Sequence, residues 1–207
     1  MNTEEFAQVL NELIALKHEL SGVECKPPGP RTDKKLQAWV IRAMLGMANR
    51  RDGGLVIVGV DDSLTSLKPV GLNSTYLASW ERYDDLASSA AEYADPSINF
   101  EQEIHEYEGN KYVLVIVKEF EDIPVLCKKD YPEILRKGAC YVRSRRKPET
   151  IEVPTQEDMR DLLDLATEKR LRKFLALAKS AGIEIEGATM ITDKDQFDAQ
   201  LGDFFRG

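Results

Sequence analysis

Cysteine and histidine are nearly absent. Cys25, Cys127 and Cys140 are the only cysteines, they lie far apart, and no CxxC occurs. A disulfide framework is therefore excluded, and a reducing compartment such as the cytoplasm is the natural setting. His18 and His105 stand alone, which excludes a zinc site of the usual Cys/His spacing. Long hydrophobic runs are missing too. The longest, Leu55 to Val60, is far too short to span a bilayer. The opening MNTEEFAQ is acidic and polar, unlike a secretory signal. No GxxxxGK[ST] motif surrounds Gly53-Gly54, so a P-loop is absent and a tight turn into a strand is the reading there. There is no internal repeat.

The chain has 207 residues, 43% hydrophobic and 31% charged. That is globular composition, with enough chain to bury a core. The net charge of −8 opposes non-specific affinity for nucleic acid, but the charge is segregated. Residues 101–122 are acidic, whereas Lys128, Lys129, Arg136, Lys137, Arg143, Arg145, Arg146 and Lys147 make the following stretch basic.

Phe6, Val9, Leu10, Leu13, Ile14 and Leu20 fall near a 3.6-residue period, which predicts a helix capped by Asn2 or Thr3 and ended by Ser21-Gly22. A short strand from Val23 to Lys26 follows, then the Pro27-Pro28-Gly29-Pro30 loop. A second helix is expected from about Asp33 to Asn49. Leu55 to Val60 is apolar and β-branched, the pattern of a strand buried on both faces. A helix is expected from about Asn73 to Ala94. A hairpin turns at Glu108-Gly109-Asn110, and its second strand, through Tyr112 to Val117, is apolar on both faces and so central. Pro124 to Lys128 and Ile134 to Arg143 read as further strands. Thr155 and Asp158 start a long helix running to about Ala181, and Thr192, Asp195, Phe197, Leu201, Phe204 and Phe205 suggest a last amphipathic helix. The order of elements gives an α/β (α+β) fold, a mixed β-sheet flanked by helices with a C-terminal helical extension. The expected division is 1–154 for the main domain and 155–207 for the extension.

Two constellations carry chemistry. Glu19, Glu24 and Lys26 surround the first short strand, and Asp61-Asp62 ends the buried one. If these strands are neighbours, Glu19, Glu24 and Asp62 converge at a strand mouth, as hard oxygen ligands suited to Mg²⁺ or Mn²⁺. Such an ion activates water and stabilises charge on a phosphodiester, and Lys26 is a compact charge for the scissile phosphate. Spacing alone leaves open that these are solvated surface carboxylates. The second constellation is the basic stretch, with Tyr131 and Tyr141 interleaved. It suits phosphate contact and base stacking, and equally a solvated hairpin.

Glu19-x4-Glu24-x-Lys26, Ala48-Asn49 before Asp52-Gly53-Gly54, Ile57-Val-Gly-Val-Asp61-Asp62, Pro96-x-Ile98, Tyr112 to Val117, Pro124, and Gly138-x-x-Tyr141-Val-Arg143-Ser144 together resemble the Schlafen-type AlbA-like domain, in the right order, over roughly Glu19 to Pro154. The resemblance implies a metal-dependent endonuclease acting on RNA, transfer RNA-like or single-stranded, or on single-stranded DNA, in bacterial immunity or stress response. It implies Glu19, Glu24 and Asp62 as catalytic metal ligands with Lys26 beside them. Arg50, Arg51, Lys128, Lys129, Arg136, Lys137, Tyr141, Arg143, Arg145, Arg146 and Lys147 are the expected nucleic-acid contacts. A single copy offers half a groove, so a homodimer or a partner subunit is expected. The alternatives are a non-catalytic nucleic-acid-binding regulatory module and a scaffolding subunit. This sequence departs from the family pattern at Cys25, where Phe is usual, at the extra residue in Asn49-Arg50-Arg51-Asp52, and at Arg145-Arg146 in place of Gly.

Overall fold

Capping and periodicity set the first helix, and the end of its apolar contacts stops it. In the computed structural model, which describes residues 1–61 and 67–183, α1 (Thr3–Leu16) opens with a capping box. Asn2 accepts from the Glu5 amide at 2.8 Å, and the Glu5 carboxylate accepts from the Asn2 amide at 2.8 Å. Phe6, Leu10 and Leu13 are buried, while Ile14 and Leu16 are exposed. Lys17 turns left-handed (φ 58°) and its amide closes on Leu13 O. The helix therefore ends before Ser21-Gly22, and Glu19 sits in a loop rather than on a helix end.

β1 (Val23–Lys26) follows, then α2 (Lys34–Ala48), capped by the Asp33 carboxylate, and β2 (Gly54–Val58). β3 (Val60–Asp61) pairs with β4 (Lys68–Pro69). The helix expected over 73–94 is two, α3 (Ser74–Ala78) and α4 (Tyr83–Tyr93). The break has side-chain causes. Arg31 Nε donates to Ser79 O at 2.9 Å, Gln102 donates to Trp80 O, and the Trp80 ring enters the core with its Nε1 bonded to Gly29 O at 2.9 Å.

β5 (Ala94–Asp95) pairs with β8 (Leu126–Cys127). Between them lie β6 (Phe100–Tyr107) and β7 (Asn110–Val117), joined at Glu108-Gly109, both with positive φ as a two-residue hairpin requires. β9 (Tyr141–Arg143) and β10 (Thr150–Glu152) form a second, shorter hairpin. The strand expected from Ile134 is thus cut to its last three residues. α5 (Gln156–Ser180) begins with Thr155 Oγ1 accepting from the Asp158 amide at 3.1 Å.

The main sheet runs β1-β2-β7-β6, with β1 and β2 parallel and the other pairs antiparallel. This is the mixed α/β sheet expected from sequence. Period-two alternation gives it two faces. Val23, Cys25, Leu55, Ile57, Tyr112 and Leu114 pack with α1, and Val56, Val58, Val113 and Val115 pack with α2. Leu162, Leu165 and Ala166 of α5 join the α2-side core. Gly53 has φ +69°, and a Cβ there would meet Val117 O at 2.0 Å, so backbone proximity accounts for this glycine.

The chain divides into two compact units, Met1–Lys169 and Arg170–Gly207. In the second, Leu171, Phe174 and Leu177 are exposed. The helix expected around Thr192 to Phe205 lies outside the described residues. Among those described, no helix is long and apolar enough to cross a membrane.

Asn49, just past α2, ties three segments together. Its Nδ2 donates to Val125 O at 2.8 Å and Tyr141 O at 2.9 Å, and its Oδ1 accepts from the Val125 amide at 2.8 Å. Asn49→Ala strands these buried backbone groups and is expected to cost about 2–4 kcal/mol. Urea unfolding checks this, and an unchanged midpoint contradicts it.

Candidate active site and nucleic-acid surface

β1 is an edge strand, and Glu24 and Lys26 share one of its faces, because side chains two residues apart point the same way. That face turns toward the β9–β10 hairpin, whose register sets Arg143 opposite Thr150. Both reach Glu24. Arg143 Nη1 donates to Glu24 Oε2 at 2.5 Å, Thr150 Oγ1 donates to the same oxygen, and Lys26 Nζ lies 2.5 Å from Glu24 Oε1. Thr150 gets this close because of Gly46. A Cβ on that glycine would stand 2.6 Å from Thr150 Cγ2.

The loop carrying Glu19 is held by the same guanidinium. Arg143 donates through Nη2 to Val23 O at 2.9 Å, Leu20 O at 3.4 Å and Glu19 Oε2 at 3.3 Å, and through Nε to Ser21 O at 3.2 Å. The other Glu19 oxygen accepts from the Cys25 amide at 2.6 Å. Glu19, Glu24 and Lys26 therefore line one cavity of about 320 Å³, together with Lys17, His18 and Glu149.

The two carboxyls titrate in opposite senses. Burial pushes Glu19 up to about 7, against the Cys25 amide, Lys26 and Arg143, which pull it down, while the charge on Glu24 adds to the rise. Glu24 is buried still deeper, which alone raises it, but Lys26 and Arg143 outweigh burial and hold it below the ordinary carboxylate range.

The parallel pairing of β1 with β2 makes the two strands neighbours, and Gly59, just past β2, donates to Lys26 O at 2.9 Å. Asp62, the third expected ligand, lies outside the described residues. Among the described residues no three His, Cys, Asp or Glu side chains form a metal-holding group. Glu19 and Glu24 have the hard oxygens that Mg²⁺ or Mn²⁺ prefers, so the pair fits such an ion by donor chemistry. All four of their oxygens also accept hydrogen bonds from this chain.

The expected nucleic-acid contacts divide sharply. Tyr141 is 2% exposed, with its hydroxyl between Ile134 O and the Arg136 amide. It offers no ring face to a base, which corrects the stacking role. Arg143 is 8% exposed and engaged with the 19–24 segment and Thr150. It is an internal counter-ion, not a surface phosphate contact. Arg50 donates to the carbonyls of Arg51 and Gly53. Four others are exposed but ion-paired: Arg51 with Glu168 at 2.8 Å, Lys129 with Glu92, Arg136 with Glu152 at 2.7 Å, and Arg145 with Asp161. Lys128, Lys137, Arg146 and Lys147 are exposed. Arg143 and Thr150 as partners of Glu24 had no local signal, since they lie more than a hundred residues along the chain.

Residues 19–152 match the family model described as Schlafen, AlbA_2. The chain belongs to this family. The Schlafen AlbA_2 match runs from the first candidate carboxylate to the last residue of β10, so it contains the whole cluster around Glu24, and it connects the chain with nucleic acid. No curated protein matches. Among solved structures, the chain is similar to the DIP2311 protein from Corynebacterium diphtheriae (15% identity, TM-score 0.44, covering 72% of this chain and 27% of that one). It is also similar to the N-terminal domain of a RecG-related protein from Nitrosomonas europaea (26% identity, TM-score 0.47, covering 66% of this chain and 89% of that one). The chain thus spans about a quarter of the first of these.

The Glu19 shift has a consequence for stability. Its folded value, about 7, lies above the ordinary 4.5, so from about pH 4.5 to 7 the unfolded state ionises first and stability falls as pH rises. Above 7 both states are ionised and the penalty is constant, on the order of 3 kcal/mol. Glu19→Gln removes it. In chelator, the variant's stability relative to the native chain is expected to be higher at pH 8 than at pH 5. A relative stability independent of pH contradicts the shift.

Proposed function

We propose that this chain is a Schlafen-type metal-dependent endonuclease acting on RNA, with Glu19, Glu24 and Asp62 holding Mg²⁺ or Mn²⁺. The observation that carries the reading is the meeting of Glu19, Glu24 and Lys26 in one cavity, inside the segment matched by the family. A bound ion of this kind supplies Lewis-acid stabilisation of charge on the phosphate and a more acidic water. The protein's own part is positional. Arg143 fixes the 19–24 segment from behind, so the two glutamates face the cavity without moving. Lys26, tethered to Glu24 at 2.5 Å, stands where a phosphodiester oxygen approaches the carboxylates and offers it a positive charge. Lys128, Lys137, Arg146 and Lys147 hold the backbone, and a second copy or a partner subunit completes the groove.

One observation favours a second reading, a non-catalytic nucleic-acid-binding module: every oxygen of Glu19 and Glu24 already has a donor within the chain. One experiment separates the two. Labelled transfer RNA, single-stranded RNA and single-stranded DNA are incubated with the protein in Mg²⁺, in Mn²⁺ and in chelator, beside Glu24→Gln and Asp62→Asn. Cutting of RNA that needs metal and disappears in both variants is the expected result. Absence of cutting, with salt-sensitive binding equal in all three proteins, rejects the nuclease and leaves the binding module.

A further inference from the structure

The Glu19–Glu24 cavity does not end at Glu24. Glu24, Lys26 and Glu149 also line a second depression of about 280 Å³, whose far wall is Pro27, Trp39 and Arg42. Arg42 in turn lines a third, beside Tyr131, Arg136 and Tyr141. The three depressions share wall residues, and Trp39 and Arg42 line the one next to Glu24 and Lys26.

Arg42 is placed at a cost that the described residues do not recover, and Trp39 keeps its indole edge within reach of solvent. Trp39 lies on α2, between fully buried Ala38 and Val40, yet it is only half-buried, and its indole N–H has no hydrogen-bond partner among the described residues. The protein's other tryptophan, Trp80, is 0% exposed with its N–H bonded to Gly29 O. Arg42 Nε is buried with no partner among the described residues, and its guanidinium sits over the Tyr141 ring, 5.4 Å from the centroid. A buried donor left unpaired is unfavourable, and it is commonly explained by a ligand that pairs it. The ammonium of exposed Lys35 sits over the Trp39 ring, 5.2 Å from its centre, and a base stacking on that face would displace this flexible side chain.

We propose that Trp39 and Arg42 form a nucleotide subsite next to the Glu19–Glu24 centre, in which Trp39 stacks on an unpaired base and Arg42 holds the adjoining phosphate of a single strand. The inference rests on the nucleic-acid reading above and adds to it a substrate form. An aromatic platform takes any base with a free face, and a base inside a duplex has none. The volume, at the small end for ligand cavities, suits one nucleotide rather than a helix of paired strands. Arg42 contributes a planar fork suited to phosphate, and Lys26 faces the same depression from the catalytic side.

The protein carries its own probe, because Trp80 is sealed in the core and quencher-accessible tryptophan emission comes from Trp39. A short single-stranded oligoribonucleotide is titrated against the full chain in chelator, with end-label anisotropy read in parallel. Saturable quenching, loss of acrylamide access to Trp39, and weaker response to the same sequence as duplex are expected. Trp39→Ala is expected to weaken binding about 5- to 100-fold, with Trp39→Phe retaining most of the affinity because it still stacks. Arg42→Ala is expected to lower the salt dependence by about one phosphate contact. If anisotropy reports binding while Trp39 emission and acrylamide access stay unchanged and Trp39→Ala binds as tightly, the subsite is wrong and the nucleic-acid reading stands. If the native chain binds no oligonucleotide at any salt, that reading falls and takes the subsite with it.

Discussion

The site depends on one buried guanidinium. Taking an arginine out of water costs several kcal/mol, and the cost is offset only where every donor finds an acceptor. Arg143 meets that condition with two carboxylates and the carbonyls of Leu20, Ser21 and Val23. The consequences are geometric. Glu19 and Glu24 repel each other, yet both are pinned to one planar cation, and the segment between them is fixed by the same group. A lysine would satisfy fewer acceptors and in no fixed plane. Two acids and two bases make the cluster neutral when Glu19 is ionised. When Glu19 keeps its proton, below about pH 7, the cluster carries one positive charge.

What could be read from sequence was what neighbouring residues decide. The β-branched run into β2, the two-faced β7, the Glu108-Gly109 turn and the cap at Thr155 all formed as their local patterns require. The misreadings occur where a distant partner decides. The apolar period runs on past Leu16, but the core that α1 meets stops at Leu13. Residues 73–94 have helical composition throughout, yet Arg31 and Gln102 take the carbonyls that would continue the helix through Ser79 and Trp80. At the candidate site, the Glu-x4-Glu-x-Lys spacing singled out Glu19, Glu24 and Lys26, which the fold brings to one cavity. The same string of letters made Tyr141 and Arg143 look like surface contacts, because a basic, aromatic stretch does not reveal which of its residues a three-residue strand turns inward.

Net charge looked like an argument against nucleic acid, and the ion pairs locate where the excess acid bears on the basic residues. Glu157, Asp158 and Asp161 at the start of α5 lie against Arg145, and Glu168 against Arg51. Lys129 and Arg136 have their own carboxylates. Exposed pairs of this kind are worth about 1 kcal/mol or less each, so a polyanion can replace them one by one. Each replacement nonetheless subtracts a small amount from the gain at that cation. The four paired cations therefore each contribute less to holding a phosphate backbone than an unpaired cation would.

In the proposed reading that reduction has a use. A surface of unpaired cations would hold any polyanion, double- or single-stranded, and catalysis would follow wherever the backbone happened to lie. Pairing of Arg51, Lys129, Arg136 and Arg145 with carboxylates leaves Lys128, Lys137, Arg146 and Lys147 to carry the backbone contribution in the proposed reading, and further affinity then comes from contacts that a bare phosphate chain cannot make. The depression beside Glu24 offers two in that reading: the Trp39 ring, and an unpaired donor at Arg42. Discrimination then falls to base exposure rather than to charge. Under the proposed subsite, the acidic start of α5 and the half-buried tryptophan on α2, unconnected in sequence, would act together in selecting an unpaired strand.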